Sequence, residues 1–129
     1  MAVVKAPYDE FWYLPLVERK YQNFVYVVYW PDSGIIKAGV TFNPGRWRKF
    51  CRRGAILLAV IPGAGVRIEK TLEDEFALSG VRAFSSWEEA TPWLGAGGCG
   101  YTECYRVDED DMHRLASFIR EVDSALVQD

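Results

Sequence analysis

The feature that most constrains the fold is a pair of β-strand patterns joined by a turn. Phe24–Trp30 reads FVYVVYW and alternates aromatic with β-branched residues, which is typical of a strand. Pro31–Gly34 reads PDSG, a turn composition, and Ile35–Thr41 (IIKAGVT) is a second strand pattern. The sequence therefore predicts a β-hairpin over residues 24–41.

Length and composition indicate one domain with one packed core. The chain has 129 residues, of which 50% are hydrophobic, so extensive disorder is not expected. No apolar run approaches the roughly 20 residues of a membrane span, and no membrane partner is expected. The 3 cysteines suggest no disulfide framework, which favours a cytoplasmic protein. Cys99, Cys104 and His113 fit no common zinc-finger spacing, so free thiols are expected.

Helices and strands are predicted to alternate after the hairpin. Periodicity predicts a helix over 44–53, a strand over 55–61, helices over 65–78 and 86–94, a strand over 101–107 and a last helix from 109. The expected caps are Asn43 or Thr41, Gly54, Ser85 or Ser86, and Asp108. Residues 1–22 are interpreted as an N-terminal extension. This order predicts an α+β fold, a small antiparallel sheet flanked by helices.

The charges of the chain are unevenly distributed. The net charge is −3, which argues against a protein coated for nucleic-acid binding. Residues 33–68 nevertheless contain no acidic residue and carry Lys37, Arg46, Arg48, Lys49, Arg52, Arg53 and Arg67. Lys49, Arg52 and Arg53 are candidate DNA-binding residues on the predicted helix, where they would hold phosphates weakly and in a salt-dependent way. The alternative is an ordinary solvated helix face.

Four segments, in order, resemble the GIY-YIG endonuclease superfamily. VYVV at 25–28 and KAGVTFNP at 37–44 are similar to its two strand motifs, the second as written in the small phage and bacterial branch. IEKTLEDEF at 68–76 resembles the helix that carries the family's metal-binding glutamate, and Glu103-x-Tyr105 resembles its closing strand. The resemblance covers residues 24–119. It implies a β-β-α-β-α core with a C-terminal strand and helix, and a Mg²⁺-dependent DNA endonuclease.

The resemblance also implies roles for individual side chains. Tyr26 would deprotonate or orient the attacking water, and Lys37 would contact the scissile phosphate or act on Tyr26. The family's catalytic arginine corresponds to Arg46 if the loop is one residue shorter, with Arg48 as the alternative. Glu69 would bind the metal ion. These side chains are expected to line one surface, and a Glu69 separated from Tyr26 by the sheet would exclude catalysis.

Two glutamates and the activity itself are left open by the sequence. Glu73 lies one helical turn after Glu69 and is either a second metal ligand or a surface charge. Glu103 either replaces an asparagine found near the end of larger family members or anchors its strand. The alternative to an endonuclease is an inactive domain of this fold that binds nucleic acid, a protein partner or a second copy of itself.

Overall fold

The computed structural model describes residues 23–43, 45–62 and 65–128. The predicted extension over residues 1–22 lies outside them. The strands are β1 (Phe24–Trp30), β2 (Ile35–Thr41), β3 (Ile56–Pro62), β4 (Val81–Arg82) and β5 (Cys104–Arg106). The helices are α1 (Gly45–Cys51), α2 (Gly65–Ser79), α3 (Trp87–Leu94) and α4 (Glu109–Gln128), with a 3₁₀ turn over Tyr101–Glu103. None of the helices in these ranges is long and apolar enough to cross a membrane.

The strands form one antiparallel sheet in the order β3-β1-β2-β5-β4. The predicted hairpin is confirmed, and its register places Tyr26 opposite Gly39 and Val28 opposite Lys37. Strand β5 pairs with β2 only from Ile35 to Lys37, so the outer edge of β2 beyond Lys37 is not covered by β5. The predicted α+β class with an antiparallel sheet and flanking helices is confirmed.

Each face of the sheet buries a separate apolar cluster. Alternate residues of β1 point to opposite faces, because side chains alternate along a strand. On one face, Tyr26 belongs to a cluster with Trp47 and Phe50 of α1. On the other, Val27 packs in a cluster that includes Leu72 of α2 and residues of α4. Trp47 and Phe50 are fully buried, and burial of a large apolar side chain contributes about 1.5–3 kcal/mol.

The helix caps follow the predicted pattern. The Asn43 side chain accepts a hydrogen bond from the backbone N–H of Gly45 at 2.9 Å, so Asn43 caps α1. Ser86 accepts from the N–H of Glu89 at 3.3 Å, and Asp108 accepts from that of Asp111 at 2.8 Å. These local bonds fix where α1, α3 and α4 begin.

Three features of the secondary structure differ from the sequence prediction. The predicted strand 101–107 is wrong in its first half, because Gly100 adopts φ 86° and the N–H of Glu103 donates to the Gly100 carbonyl at 3.0 Å, closing a 3₁₀ turn. Helix α1 ends at Cys51 rather than near residue 53. Strand β4 is not predicted at all, because it has only 2 residues, both exposed and without a strand period.

Candidate functional site

The Tyr26 side chain crosses β2 at Gly39. Its ring is 1% exposed and lies 5.9 Å from the Trp47 ring and 6.0 Å from the Phe50 ring, measured between centroids. A Cβ atom at Gly39 would lie 2.3 Å from the Tyr26 hydroxyl oxygen, closer than any side chain tolerates. Glycine at position 39 therefore lets the ring lie across the strand and carries its hydroxyl toward Lys37.

Lys37 is a buried cation whose three N–H donors all have acceptors. Its ammonium donates to the Tyr26 hydroxyl at 3.0 Å, to a Glu103 carboxylate oxygen at 3.1 Å and to the Ala38 carbonyl at 3.4 Å. Burial lowers the pKa of Lys37, but its interactions with Tyr26 and Glu103 outweigh burial and raise the pKa above its ordinary value. The Lys37 side chain is 1% exposed, and its ammonium is bonded to Tyr26 and Glu103.

Three half-buried carboxylates lie close together beside Lys37. Single carboxylate oxygens of Glu69, Glu73 and Glu103 lie within 4.8 Å of one another. Burial and the Glu103 charge raise the pKa of Glu69, against the lowering effects of Lys37 and of a hydrogen bond from the Val40 backbone. Burial and the charges of Glu69 and Glu103 raise the pKa of Glu73 to about 7. Burial and the neighbouring carboxylates therefore favour the protonated forms of Glu69 and Glu73.

The chemistry of the cluster fits a hard divalent cation. Carboxylate oxygens are the ligands that Mg²⁺ and Ca²⁺ take, and a cation between them would cancel the repulsion that, together with burial, raises the pKa values of Glu69 and Glu73. One oxygen of Glu73, Oε1, is buried and has no hydrogen-bond partner. Glu69 and Glu73 are both presented by α2, one helical turn apart, as their spacing predicts.

The three carboxylates are connected to Tyr26 through Lys37 at the edge of the sheet. Helix α2 packs its apolar side chains on the face opposite to the Tyr26 ring. Its Glu69 carboxylate lies at the edge of the sheet, so the sheet does not separate Glu69 from Lys37 and Tyr26. The Glu69 carboxylate interacts with the Val40 backbone and with Lys37, which bonds Tyr26. The groups thus meet at the outer edge of β2, where β5 has ended, and not on the open face of the sheet.

Arg46 lies at the same place, on the first turn of α1. Its guanidinium donates to the sulfur of Cys99 at 3.1 Å, and it is half-buried. The hydrogen bond to Cys99 raises the pKa of Arg46, burial lowers it, and interactions with Tyr26 raise it further. Arg46, one of the two candidate arginines, interacts with Tyr26. Arg48 lies on the same helix and is also half-buried.

The predicted basic face of α1 is divided between two environments. Arg53 donates to the Pro92 carbonyl at 3.4 Å, and a Cβ atom at Gly95 would lie 2.5 Å from Cε of Lys49. Both cations therefore lie at the C-terminal end of α3, where positive charge stabilises a helix. Arg52 is exposed in the turn that follows α1. Lys49 and Arg53 thus have a structural role that the sequence did not indicate, and DNA binding by this face remains a prediction.

Two features of the site, the Arg46–Cys99 contact and the position of Gly100, are not predicted by any sequence motif. Cys99 is 53 residues from Arg46, and nothing in either segment pairs them. Gly100 adopts φ 86°, and a Cβ atom there would lie 2.8 Å from a Glu103 oxygen and 2.9 Å from Cε of Lys37. The glycines of Gly95–Gly100 indicate a flexible loop, and glycine permits such close approaches. Its neighbours are set by the tertiary fold.

The three free cysteines differ in their surroundings. Cys99 is exposed, Cys51 is half-buried and Cys104 is buried in the sheet. Burial raises the pKa of Cys104 to about 12, with Lys37 lowering it and Glu103 raising it. The expected absence of disulfides agrees with these free thiols.

Comparison with known proteins adds no relative to this picture. The chain finds no significant match among protein-family models, curated proteins or solved structures. The likeness to GIY-YIG endonucleases therefore stays a resemblance of motifs.

Proposed function

We propose that this protein is a divalent-cation-dependent endonuclease that hydrolyses phosphodiester bonds of DNA, built on a GIY-YIG-type core. The observation that supports this most is the meeting of a buried Tyr26–Lys37 pair, an arginine and three carboxylates at one edge of β2. Phosphodiester hydrolysis needs a group that takes a proton from water, positive charge on the phosphate and a cation to stabilise developing charge. Each need has a candidate at this edge.

Tyr26 is the candidate for proton transfer from water. Its hydroxyl oxygen accepts a hydrogen bond from the Lys37 ammonium, and this bond stabilises negative charge on the oxygen when Tyr26 gives up its proton. The rings of Trp47 and Phe50 fix the orientation of the tyrosine. Lys37 is thus a positioning residue for Tyr26, because its buried ammonium is committed to Tyr26, Glu103 and a backbone carbonyl.

Arg46 is the candidate for holding the phosphate. Its guanidinium is half-exposed and interacts with Cys99 and Tyr26, and since the planar fork carries five N–H donors, others remain for phosphate oxygens. Glu69, Glu73 and Glu103 would hold the divalent cation. A bound cation would polarise the phosphate and lower the pKa of a water molecule.

A plasmid-nicking assay with Mg²⁺ tests the proposal. We expect cleavage by the wild-type protein, loss of cleavage in EDTA, and loss in Glu69→Ala. The matched control is Asp74→Asn, which changes an exposed carboxylate on the same helix that pairs with Lys70 at 2.7 Å. Glu69→Ala should unfold at nearly the wild-type urea concentration, since removing a half-exposed carboxylate has a small effect on stability. Cleavage that persists in EDTA would contradict the metal assignment.

Tyr26→Phe separates the tyrosine's chemistry from its packing. The phenylalanine keeps the ring between Trp47 and Phe50 but removes the oxygen that Lys37 bonds. Proton transfer by a positioned side chain typically contributes 10²–10⁴-fold in rate, so cleavage should fall by about that factor. A Tyr26→Phe protein that cleaves at the wild-type rate would remove Tyr26 from the mechanism.

One observation favours a second candidate, an inactive domain that binds nucleic acid or a protein. The Lys37 ammonium already neutralises one carboxylate of the cluster at 3.1 Å, and such an internal ion pair can serve structure alone. This candidate predicts no cleavage with Mg²⁺, Mn²⁺ or Ca²⁺. Retained DNA binding would then indicate a nucleic-acid-binding domain. Absence of DNA binding at low salt would indicate a protein partner or a second copy of the chain.

A further inference from the structure

A cavity of about 340 Å³ opens beside the candidate site. It is lined by Trp87 at the start of α3, by Tyr101 and by the glycine-rich loop 97–100. The Trp87 side chain is 50% exposed, although tryptophan is the side chain with the most apolar area to bury. The cavity therefore presents aromatic surface to solvent.

The shape of the cavity is set by glycines. Gly97, Gly98 and Gly100 adopt φ values of 84°, 53° and 86°, which other residues rarely adopt. A Cβ atom at Gly98 would lie 2.3 Å from the Trp87 carbonyl oxygen, so only glycine lets the loop lie against the start of α3. The N–H of Gly98 donates to the Gly95 carbonyl at 2.9 Å, and the N–H of Tyr101 to that of Gly98 at 3.1 Å. Consecutive turns thus hold the loop beside Trp87.

The same loop forms a boundary with the candidate site. Cys99, which lines the cavity, accepts the hydrogen bond from Arg46 at 3.1 Å. Gly100, also in the lining, lies against Glu103 and Lys37. A ligand in the cavity would therefore have the Arg46 guanidinium at the rim, where it could bind a negatively charged group.

We infer that this cavity binds one unpaired nucleobase of a DNA strand whose neighbouring phosphate lies at Arg46. The inference rests on the proposed function and specifies its substrate class as DNA with a single-stranded or unpaired nucleotide. A flat base stacks on aromatic side chains whatever its identity, and a cation beside it binds the backbone. Bases inside a duplex are already stacked on their neighbours, so a paired base has no equivalent access.

Fluorescence anisotropy in EDTA, which prevents metal-dependent cleavage, tests the inference. The probes are a fluorescein-labelled single-stranded oligothymidylate and a blunt duplex of similar length. Trp87→Ala should weaken single-strand binding about fivefold or more, the effect expected for loss of one stacked base. It should change duplex binding by less than about twofold. Trp87→Phe, which keeps an aromatic face, should retain most of the single-strand affinity. The control is Leu78→Ala, another highly exposed apolar side chain.

A direct readout uses the fluorescence of Trp87 itself. Bound oligothymidylate should quench tryptophan emission in the wild-type protein, and this quenching should largely disappear in Trp87→Phe while binding persists. Quenching that is unchanged in Trp87→Phe would overturn the inference. Melting temperatures of all variants show whether any loss of binding comes from unfolding.

The outcomes separate this inference from the proposed function. If the wild-type protein binds DNA and Arg46→Ala weakens binding, but Trp87→Ala binds single strands as the wild type does, then the base site is refuted and the DNA-binding site stands. An aromatic side chain of a partner protein would then be the occupant to test. If the wild-type protein binds neither probe at low salt, the base site is refuted, and the proposed function is refuted as well if the protein also fails to nick plasmid DNA with Mg²⁺.

Discussion

The close approach of Tyr26 to Gly39 makes Gly39→Ala the sharpest structural test. The added methyl group would lie 2.3 Å from the Tyr26 hydroxyl oxygen and 2.5 Å from the ring carbon that carries it. The ring cannot move aside easily, because it is 1% exposed and packs against Trp47 and Phe50. Gly39→Ala must therefore displace either the tyrosine or the strand.

The expected change in the free energy of unfolding of Gly39→Ala has two opposing contributions. Inserting a methyl group into a well-packed core typically costs about 1–3 kcal/mol. Replacing glycine by alanine stabilises by about 0.4–1 kcal/mol through the unfolded state where the backbone conformation allows it. Gly39 does not have a left-handed φ, so the second term applies. Because the overlap is severe, we expect a net loss of about 2 kcal/mol, near the upper end of the difference between these ranges.

Urea unfolding measures this loss directly. With a slope of about 1–2 kcal/mol per molar urea, the midpoint should fall by about 1–2 M. The control is the same substitution in a Tyr26→Leu background, where the ring that meets the methyl group is absent. There Gly39→Ala should be neutral or slightly stabilising, so the double-mutant cycle should give a coupling of about 2 kcal/mol.

Two results would refute this reasoning. Equal losses for Gly39→Ala in the wild-type and Tyr26→Leu backgrounds would show that the ring does not lie over residue 39. A Gly39→Ala protein as stable as the wild type would show that the Tyr26 ring can adopt another position at no cost in stability. Either result would also remove the geometry that brings the Tyr26 hydroxyl to Lys37.

Three further predictions concern charge and helix capping. The pKa of Glu73 is raised from 4.5 to about 7 by burial and by its two neighbouring carboxylates, so between those values the folded protein binds more protons than the unfolded chain and stability falls as pH rises. In EDTA, the free energy of unfolding of Glu73→Gln should therefore rise relative to that of the wild type by about 1–2 kcal/mol between about pH 5 and about pH 8, a value reduced because the side chain is half-exposed. A difference in urea unfolding that does not change with pH would contradict this. Arg52→Glu should weaken DNA binding and reduce the slope of log K against log salt by about 0.9. Arg53→Glu should in addition lower the melting temperature, because it loses the hydrogen bond to the last turn of α3. Anisotropy titrations at two salt concentrations and a thermal melt test both variants, and unchanged binding in both would place DNA contact elsewhere. Ser86→Ala should destabilise the protein by about 1 kcal/mol in urea through loss of the α3 cap, and no change would show that the cap is dispensable.

Local patterns in the sequence determined most of the secondary structure. The alternation of Phe24–Trp30 and the turn at Pro31–Gly34 predict the hairpin, because strand period and turn chemistry are encoded in adjacent residues. The caps at Asn43 and Asp108 are equally local, since a capping side chain bonds a backbone group only a few residues away. The i, i+4 spacing likewise places Glu69 and Glu73 on one side of α2.

The limits of the sequence appear where a segment's conformation depends on distant contacts. Residues 101–103 are apolar and polar in strand-like order, yet they form a 3₁₀ turn because the positive φ of Gly100 starts one. Strand β4 exists only because Val81 and Arg82 find the free edge of β5. Neither feature has a period that a sequence pattern could reveal.

The arrangement of the site was decided by the tertiary structure. Glu103 meets Glu69 because β5 begins opposite Lys37, with Glu103 directly before it, and leaves the rest of the β2 edge to carboxylates from α2. Arg46 meets Cys99 because the glycine loop lies against the start of α3. Sequence motifs name the chemical groups, but strand register, loop closure and burial place them within bonding distance. Those features depend on contacts between residues far apart in the chain, which local periodicity does not encode.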